Sequence, residues 1–269
     1  MKYFDYKNRT VNNMKKRIAL LADIHGNLES LVAILEDIKV QNIDEIICLG
    51  DTIGIGPNSK ECVDLLIENN IKSVLGNHEI YLLKGTDFDS TIVGEEKEHY
   101  NWVKDSLTNK EINYIKKCPL YYEITISYDN SKFNNKFVLC HYLFESKKNI
   151  YPFERDNLRN DINLWKKYNN DNVVYFIGHL HNSFNINEVD GISEDYIADD
   201  GTLTNIVIVD SAGCTKDDKT SYMILEISKN IKYERKQIKY NRNKFINKVK
   251  STCFPGKKGI LKYFYGIQE

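Results

Sequence analysis

Five short polar clusters, each at the end of an apolar run, contain the residues of this chain best suited to chemistry. They hold two aspartates, one asparagine and five of the six histidines, in the order Asp23-x-His25, Gly50-Asp51, Gly76-Asn77-His78, His141 and Gly178-His179-x-His181. Carboxylate oxygen, amide oxygen and imidazole nitrogen are ligands for divalent transition metals. A single such residue at a strand end is more often a turn residue than a ligand, but their joint occurrence predicts a metal site.

The candidate ligands outnumber those that one metal ion needs. The seven candidates are Asp23, His25, Asp51, Asn77, His141, His179 and His181. A tetrahedral zinc ion takes four ligands, so the surplus favours two ions about 3.5–4 Å apart that share a carboxylate. Residues i and i+2 of an extended segment face the same side, which predicts that Asp23 pairs with His25, and His179 with His181. No cysteine is expected to compete for the metals.

The strands that precede the clusters must position them. Apolar runs at 18–22, 45–49 and 71–75 are typical of buried strands, and the segments between them have apolar residues at helical spacing. Strand and helix alternating in this way predict βαβ units in a parallel sheet, whose carboxyl ends are where ligands bind. Glycines beside the clusters are expected to let the backbone turn sharply after each strand. These glycines are Gly50, Gly76 and Gly178.

The rest of the chain continues the alternation after one interruption. A polar helical segment at about 80–118 is interpreted as an insertion or cap. The later segments are strands at 121–128, 136–140, 173–177, 205–209, 222–227 and 233–240, and helical stretches at 153–168 and 241–266. We predict a single α/β domain over residues 17–269, preceded by a flexible N-terminal extension over residues 1–16.

The composition excludes several classes of protein. The chain has 37 Lys and Arg residues and 38 Asp and Glu residues. Its hydrophobic content of 42% and charged content of 28% exclude a wholly disordered chain. The net charge of −1 gives no reason to expect nucleic acid or an anionic membrane as a partner. The six cysteines are scattered without a C-x-x-C pair, as reduced thiols are. With no signal peptide and no apolar stretch of about 20 residues, a cytoplasmic protein is expected.

The segment 229–269 departs from the average charge, with twelve Lys or Arg and two Glu. A basic tail can bind RNA or other phosphate-rich partners. Its apolar residues are nevertheless spaced for packing, which favours a strand and helices with a solvated basic face over a nucleic-acid site. The oligomeric state stays open.

In order and spacing, the five clusters resemble the motifs of the calcineurin-like metallophosphoesterases, D-x-H, G-D, G-N-H-[D/E], H and G-H-x-H, across residues 23–181. Residues 50–57, the Trp102 segment before Pro119, and the strand and helices after residue 233 further resemble the small bacterial phosphodiesterase-like branch. The resemblance implies a four-layer αββα sandwich of two mixed sheets with a helical insertion.

It also implies roles for the site residues. Asp23, His25 and His181 would hold one divalent transition-metal ion, and Asn77, His141 and His179 the other, with Asp51 bridging them. Manganese is the first choice for both ions, with iron, zinc, nickel and cobalt as alternatives. A hydroxide between the ions would attack phosphorus. Asn77 and His78 would contact the substrate, and His78, which is not a ligand, would protonate the leaving group.

Two positions differ from relatives that resemble this chain. Protein phosphatases and symmetrical diadenosine tetraphosphatases carry a phosphate-clamping Arg where Ile55 stands, and protein phosphatases have an Asp, which orients the motif histidine, where Gly54 stands. The absent Arg argues against protein phosphatase activity. His78 therefore needs another orienting partner, for which Glu79 is a candidate.

Three other residues have competing interpretations. Asn27 is either a phosphate contact or, as the pattern favours, the N-cap of the first helix. Tyr142 either stacks on a substrate base or packs in the core. His99 is interpreted as an exposed helix residue rather than a functional one. Asn58 and Glu61 are expected to form a capping box at the second helix.

The predicted function is metal-dependent hydrolysis of a small phosphate ester, with a nucleotide-type phosphodiester as the first choice. A phosphomonoesterase or a nucleotide pyrophosphatase is the alternative within enzymes. A non-enzymatic scaffold of the same fold is a third possibility, but the loss of ligand residues that it would be expected to show is not seen.

Overall fold

A computed structural model describes residues 16–87, 89–127, 134–142, 173–181, 206–227 and 231–268 of the chain. Its strands are β1 (Lys16–Leu21), β2 (Glu45–Cys48), β3 (Lys72–Ser73), β4 (Tyr121–Ser127), β5 (Asn134–Cys140), β6 (Val173–Ile177), β7 (Ile206–Ile208), β8 (Lys219–Ile227) and β9 (Ile231–Lys239). Its helices are α1 (Leu28–Ile38), α2 (Ser59–Glu68), α3 (Asn77–Lys84), α4 (Gly94–Ser106), α5 (Asn109–Ile115), α6 (Arg242–Ser251) and α7 (Lys257–Tyr265).

The strands form two mixed sheets. The first has the order β3-β2-β1-β8-β9, in which β1 runs parallel to β2 and antiparallel to β8. The second has the order β4-β5-β6-β7, in which β5, β6 and β7 are parallel. Cys140 pairs with Ile177, so the carboxyl ends of β5 and β6 are level and the residues after them, His141 and Gly178, start side by side.

The main core lies between the two sheets. Leu20 and Met223 of the first sheet belong to one buried cluster with Phe137 and Phe176 of the second. On the other face of the first sheet, Leu31 and other apolar residues of α1 and α2 pack against the strands in a second buried cluster. Burial of this kind contributes about 25 cal/mol for each Å² of apolar surface removed from water.

The α/β class with two mixed sheets is therefore confirmed. The helical insertion predicted at 80–118 consists of α3, α4 and α5, and its first helix already begins inside the third polar cluster. The predicted helix at 153–168 and the N-terminal extension up to residue 15 lie outside the described residues. Among the helices that are described, none has the length and apolar character that a bilayer crossing requires.

The helical stretch predicted at 241–266 contains two helices. Residues 252–256 separate them and include Pro255, which has no amide hydrogen to donate, and Gly256 in left-handed backbone at φ 75°. One local prediction needs correction. The helix α2 does begin after Asn58, but the side chain of this residue makes no capping hydrogen bond. The predicted capping box with Glu61 is therefore absent.

Candidate metal centre

The first polar cluster lies in a tight loop after β1. Asp23 and His25 both have left-handed backbone, with φ of 54° and 48°, and His179 and His181 do so at 67° and 53°. The argument that each pair faces one side of an extended segment is therefore wrong. These φ angles are unusual for residues with a side chain, and tertiary hydrogen bonds hold them, such as the one from Asp23 N to Gly50 O at 3.1 Å.

Asp51 lies between histidines of the two predicted metal sites. Its Oδ2 is 3.2 Å from His141 Nε2 and 3.7 Å from His25 Nε2. The side-chain oxygen of Asn77 lies 3.1 Å from His141 Nε2 and 3.0 Å from His179 Nδ1. Because one carboxylate oxygen faces imidazoles on both sides, it can serve two cations.

A second group of ligand atoms meets on the other side of Asp51. The Nε2 atoms of His25 and His181 are 2.8 Å apart. Asp23 Oδ1 is 3.3 Å from His181 Nε2 and 3.7 Å from His25 Nε2. The backbone amide of His179 donates to both carboxylate oxygens of Asp23, at 2.9 and 3.1 Å, which fixes this carboxylate in place. Two unprotonated imidazole nitrogens this close repel each other unless a proton or a cation lies between them.

Backbone carbonyls fix the orientation of two of the rings. His25 Nδ1 is 3.2 Å from Ile53 O, and His141 Nδ1 is 2.8 Å from Leu49 O. Each Nδ1 can therefore carry the proton it donates to the carbonyl, which leaves the Nε2 lone pair directed into the cluster, as in metal-binding histidines. The donor set of carboxylate, amide and oriented imidazoles fits divalent transition metals.

Burial and charge shift the pKa values of these groups. Burial, aided by His181 and His78, lowers the pKa of His25 well below its usual value, and burial with His141 lowers that of His179 to about 4. Burial would also lower the pKa of His141, but the Asp51 carboxylate raises it to about 9. Neutral imidazole is the form that binds metal.

Glu79 is a buried carboxylate with a structural position different from the predicted one. Its oxygens accept from the backbone amides of Asp51 (2.8 Å), Thr52 (2.8 Å) and Gly76 (2.9 Å). Burial and the neighbouring Asp51 raise its pKa to about 7. Glu79 therefore holds the Asp51 loop against the start of α3. Its carboxylate makes no hydrogen bond to the His78 ring within the described residues, so this candidate for the orienting partner of His78 is not supported.

The His78 ring is positioned by packing. Its Nδ1 is buried and has no hydrogen-bond partner within the described residues. Its ring centroid is 4.7 Å from that of His25 and 5.1 Å from that of Tyr100, and its backbone amide donates to Asp51 Oδ1 at 2.9 Å. A Cβ at Gly54 would lie 2.1 Å from His78 Nδ1, so the ring fits only because residue 54 has no side chain.

The three glycines predicted to allow turns have two different roles. Gly50 has φ of 90° and supplies the left-handed turn that was expected. Gly76 and Gly178 instead allow close approach, since a Cβ would lie 2.1 Å from Asp51 Oδ1 at the first and 2.8 Å from Asp23 Oδ2 at the second. Both carboxylates of the cluster thus occupy space that a side chain would fill.

Two residues proposed as substrate contacts are enclosed by protein. Asn27 is fully buried, accepts from Ser30 N at 3.1 Å as the N-cap of α1, and donates to Gly213 O at 2.8 Å. Its capping role is confirmed. Tyr142 is also buried, in an apolar cluster beneath the insertion, with its ring centroid 5.2 Å from that of His141 and 5.5 Å from that of His179. The structure therefore supports the interpretation that Tyr142 packs in the core.

His99 is buried, which contradicts its interpretation as an exposed residue. Its ring stacks on Trp102 at a centroid distance of 5.7 Å, contacts Phe254 at 5.4 Å, and bonds through Nδ1 to Pro255 O at 3.2 Å. The side of helix α4 that carries His99 therefore packs against the C-terminal segment. His99 is a polar residue in a helix with few apolar residues. The sequence around it therefore did not indicate contacts with residues that follow it by 155 positions or more.

Two residues near the cluster have no counterpart among the predicted site residues. Cys214 lies with His25 and His181 so that their potential ligand atoms are all within 4.8 Å of one another, contrary to the expectation that no cysteine competes. Tyr100 lies against His78. The only sequence signal for Cys214 is its position shortly after β7, the same kind of strand-end position that identified the other clusters.

Comparison with known proteins agrees with the geometry. A sequence model described as calcineurin-like phosphoesterase matches residues 16–207. An uncharacterized protein of Methanocaldococcus jannaschii is 29% identical over 256 residues, which are 90% of this chain and 95% of that protein. A symmetrical bis(5'-nucleosyl)-tetraphosphatase of Haemophilus ducreyi is 35% identical over 81 residues, 29% of this chain and 28% of that enzyme.

The fold also has solved relatives. The crystal structure of a metallophosphoesterase from Sphaerobacter thermophilus superposes with a TM-score of 0.62 at 20% identity, covering 93% of this chain and 98% of that one. At this level of identity the likeness concerns the fold.

Proposed function

Because the chain belongs to the calcineurin-like phosphoesterase family, we propose that it hydrolyses a small nucleotide-type phosphodiester with the help of two divalent transition-metal ions. Asp23, His25 and His181 would hold one ion. Asn77, His141 and His179 would hold the other, and Asp51 would be shared. When bound, the two cations supply an activated water nucleophile and neutralise charge on the phosphoryl oxygens.

One observation carries this proposal. A single oxygen, Asp51 Oδ2, lies 3.2 Å from His141 Nε2 and 3.7 Å from His25 Nε2, and so between the two groups of ligand atoms. A structural site for one metal has no use for a second group of imidazoles on the other side of its carboxylate. Two-metal sites that cleave phosphate esters are built around such a shared ligand.

The chain's own residues would perform the proton transfer. His78 Nδ1 is held against Gly54, so Nε2 is the nitrogen left to face the substrate. We assign to it the donation of a proton to the leaving oxygen. Burial lowers the pKa of His78, and the Asp51 carboxylate opposes this shift. The neighbouring carboxylate thus favours the protonated form that a general acid needs, against the effect of burial.

One feature supports the proposed substrate class, and another supports its alternative. The residue at the position of the phosphate-clamping Arg is Ile55, which is buried, so this loop presents no cation to a dianionic monoester. The matching segment of the Haemophilus ducreyi enzyme, whose name denotes cleavage of a dinucleoside tetraphosphate, keeps nucleotide pyrophosphatase activity as the second candidate. The full set of ligand residue types argues against a scaffold without activity.

Hydrolysis of bis-p-nitrophenyl phosphate by metal-loaded protein tests the proposal, with p-nitrophenyl phosphate and a dinucleoside tetraphosphate as competing substrates. Asp51→Asn should abolish most of the rate, and His78→Ala should lower kcat by about 10²- to 10⁴-fold. Asp87→Asn, at an aspartate whose side chain is 88% exposed, is the matched control and should keep full activity. Full activity in both site variants contradicts the mechanism, and faster cleavage of the monoester or the tetraphosphate assigns the alternative substrate class.

A further inference from the structure

Cys214 is held at the cluster by a loop that docks onto the first polar motif. Ser211 Oγ accepts from Cys214 N at 2.8 Å and donates to Asp23 O at 2.9 Å. The amide of Gly213 also donates to Asp23 O at 2.9 Å. The position of the cysteine is thus fixed by hydrogen bonds to the backbone of a proposed ligand.

The docking is too close for any residue other than glycine at position 213. A Cβ there would lie 1.9 Å from Ile24 O, which is closer than any two nonbonded atoms can approach. The two loops therefore have one relative placement, with little freedom for Cys214 to turn away. Such fixed placement is what a metal site requires of its ligands.

The spacing of the sulfur suits a shared cation. Cys214 Sγ and ring nitrogens of His25 and His181 all lie within 4.8 Å of one another. Zinc binds sulfur at about 2.3 Å and imidazole nitrogen at about 2.0–2.1 Å, so two ligands of one ion are separated by up to about 4 Å. The three atoms are therefore close to the spacing that one ion requires.

A second, independent feature lies beside this sulfur. Tyr265 is fully buried, and its hydroxyl has no hydrogen bond of normal geometry within the described residues. Cys214 is its polar neighbour: burial first, and then this cysteine, raise the pKa of Tyr265 well above its usual value. A buried hydroxyl needs a hydrogen-bond partner, and a metal-bound sulfur beside it can accept that bond.

We propose that Cys214, as a thiolate, is a further ligand of the cation held by Asp23, His25 and His181. This inference rests on the proposed function, since it assumes that a cation binds there. On binding, the S–H bond breaks, the sulfur keeps the electron pair and donates it to the cation, and the proton leaves to solvent. Because thiolate is a soft ligand, this site prefers zinc, cobalt or iron to manganese, and the preference for manganese given by the motifs alone does not extend to it.

Cobalt binding to the metal-free chain of 269 residues tests the proposal by spectroscopy. Co²⁺ alone should produce a thiolate-to-cobalt charge-transfer band in the near ultraviolet in the wild type. The band should also form in Cys253→Ser, the matched control at an exposed cysteine, and be lost in Cys214→Ser and Cys214→Ala. Both Cys214 variants should bind the first Co²⁺ about 10- to 100-fold more weakly.

Thiol protection in the wild type does not depend on how the variants fold. Zn²⁺ should slow alkylation of Cys214, identified by mass spectrometry, and leave the rate at Cys253 unchanged. Binding of two Co²⁺ ions without the band, or an unprotected Cys214, overturns the cysteine assignment and leaves the proposed function standing. A wild type that binds no Co²⁺ or Zn²⁺ overturns both.

Discussion

The ring of His78 lies against the ring of Tyr100, with centroids 5.1 Å apart and planes inclined by 47°. Tyr100 is in turn packed on Tyr81 at 5.0 Å, and the Tyr81 hydroxyl donates to Asp89 at 2.9 Å. Helix α4 therefore contacts the proposed proton donor through the tilted ring of Tyr100. This ring contact, together with the close approach of Gly54 to His78 Nδ1, takes the place of a carboxylate that would orient the imidazole.

Removal of the Tyr100 ring should impair His78 without affecting metal binding. Tyr100→Ala leaves a space beside the imidazole, and loss of its fixed orientation should lower kcat by about 10- to 100-fold with little change in KM. Tyr100→Phe keeps the ring and should stay within about twofold of the wild type. The measurement is a pH–rate profile with bis-p-nitrophenyl phosphate. Only the alanine variant should shift the apparent pKa of the limb that reports the proton donor. Equal losses in both variants would assign the effect to the hydroxyl.

A methyl group at residue 54 should displace His78. In Gly54→Ala the new Cβ would lie 2.1 Å from His78 Nδ1, so the ring must move, and we expect a loss in kcat close to that of His78→Ala. Gly85→Ala is the matched control, because both glycines have positive φ (90° and 81°) but nothing lies within 4 Å of a Cβ at Gly85. Both variants should be destabilised by about 1–2 kcal/mol through backbone strain. Thermal denaturation measures the loss of stability in each variant, and kcat measures the loss of catalysis. A Gly54→Ala variant that keeps its activity contradicts the displacement of His78.

The sequence predicted most of the residues that meet, but it missed Cys214 and Tyr100 and did not predict how the residues meet. Five polar clusters after five apolar runs predict a common site, because parallel strands end together. In the structure the first three clusters follow strands of one sheet and the last two follow strands of the other. The left-handed backbone at Asp23 and His25 could not be predicted in this way, since it depends on hydrogen bonds to the Gly50 and Asp51 carbonyls from a neighbouring loop. Local spacing describes extended segments and says nothing of such tertiary contacts.

The same limit applies to residues that act through long-range packing. His99 is in a polar helical segment, so its burial against Phe254 and Pro255 has no local signature. Glu79 follows a motif histidine in sequence, yet its carboxylate turns back to the amides of Asp51 and Thr52. Adjacent positions on a helix point in different directions, so neighbourhood in sequence is a poor guide to contact.

Loss of the Glu79 charge should loosen the Asp51 loop. Glu79→Gln replaces one acceptor oxygen with an amide donor that faces backbone N–H groups, so we expect the free energy of unfolding to fall by about 1–3 kcal/mol and metal affinity to weaken. Glu111→Gln is the control, at another buried glutamate, whose carboxylate accepts from Thr108 at the start of α5. It should affect stability but not metal binding. Urea denaturation and Zn²⁺ titration measure the two quantities, and unchanged affinity in Glu79→Gln would show that the loop holds its place without this carboxylate.

Burial of His99 should make stability depend on pH. Burial, with His78 nearby, lowers the pKa of His99 from 6.5 to about 4, so below pH 6.5 the unfolded chain takes up a proton that the folded chain does not. Stability is therefore lost as the pH falls from about 6.5 towards 4, and between pH 7.5 and 5.5 this group should account for about 1 kcal/mol. His99→Phe keeps the contacts with Trp102 and Phe254 and removes the titrating group.

Urea denaturation of both proteins in metal-free buffer at the two pH values gives the difference, because the other titrating groups are common to both proteins. The variant should lose less stability on acidification than the wild type, even though it also lacks the hydrogen bond to Pro255. Parallel losses in the two proteins would mean that His99 is protonated as readily in the folded chain as in the unfolded one.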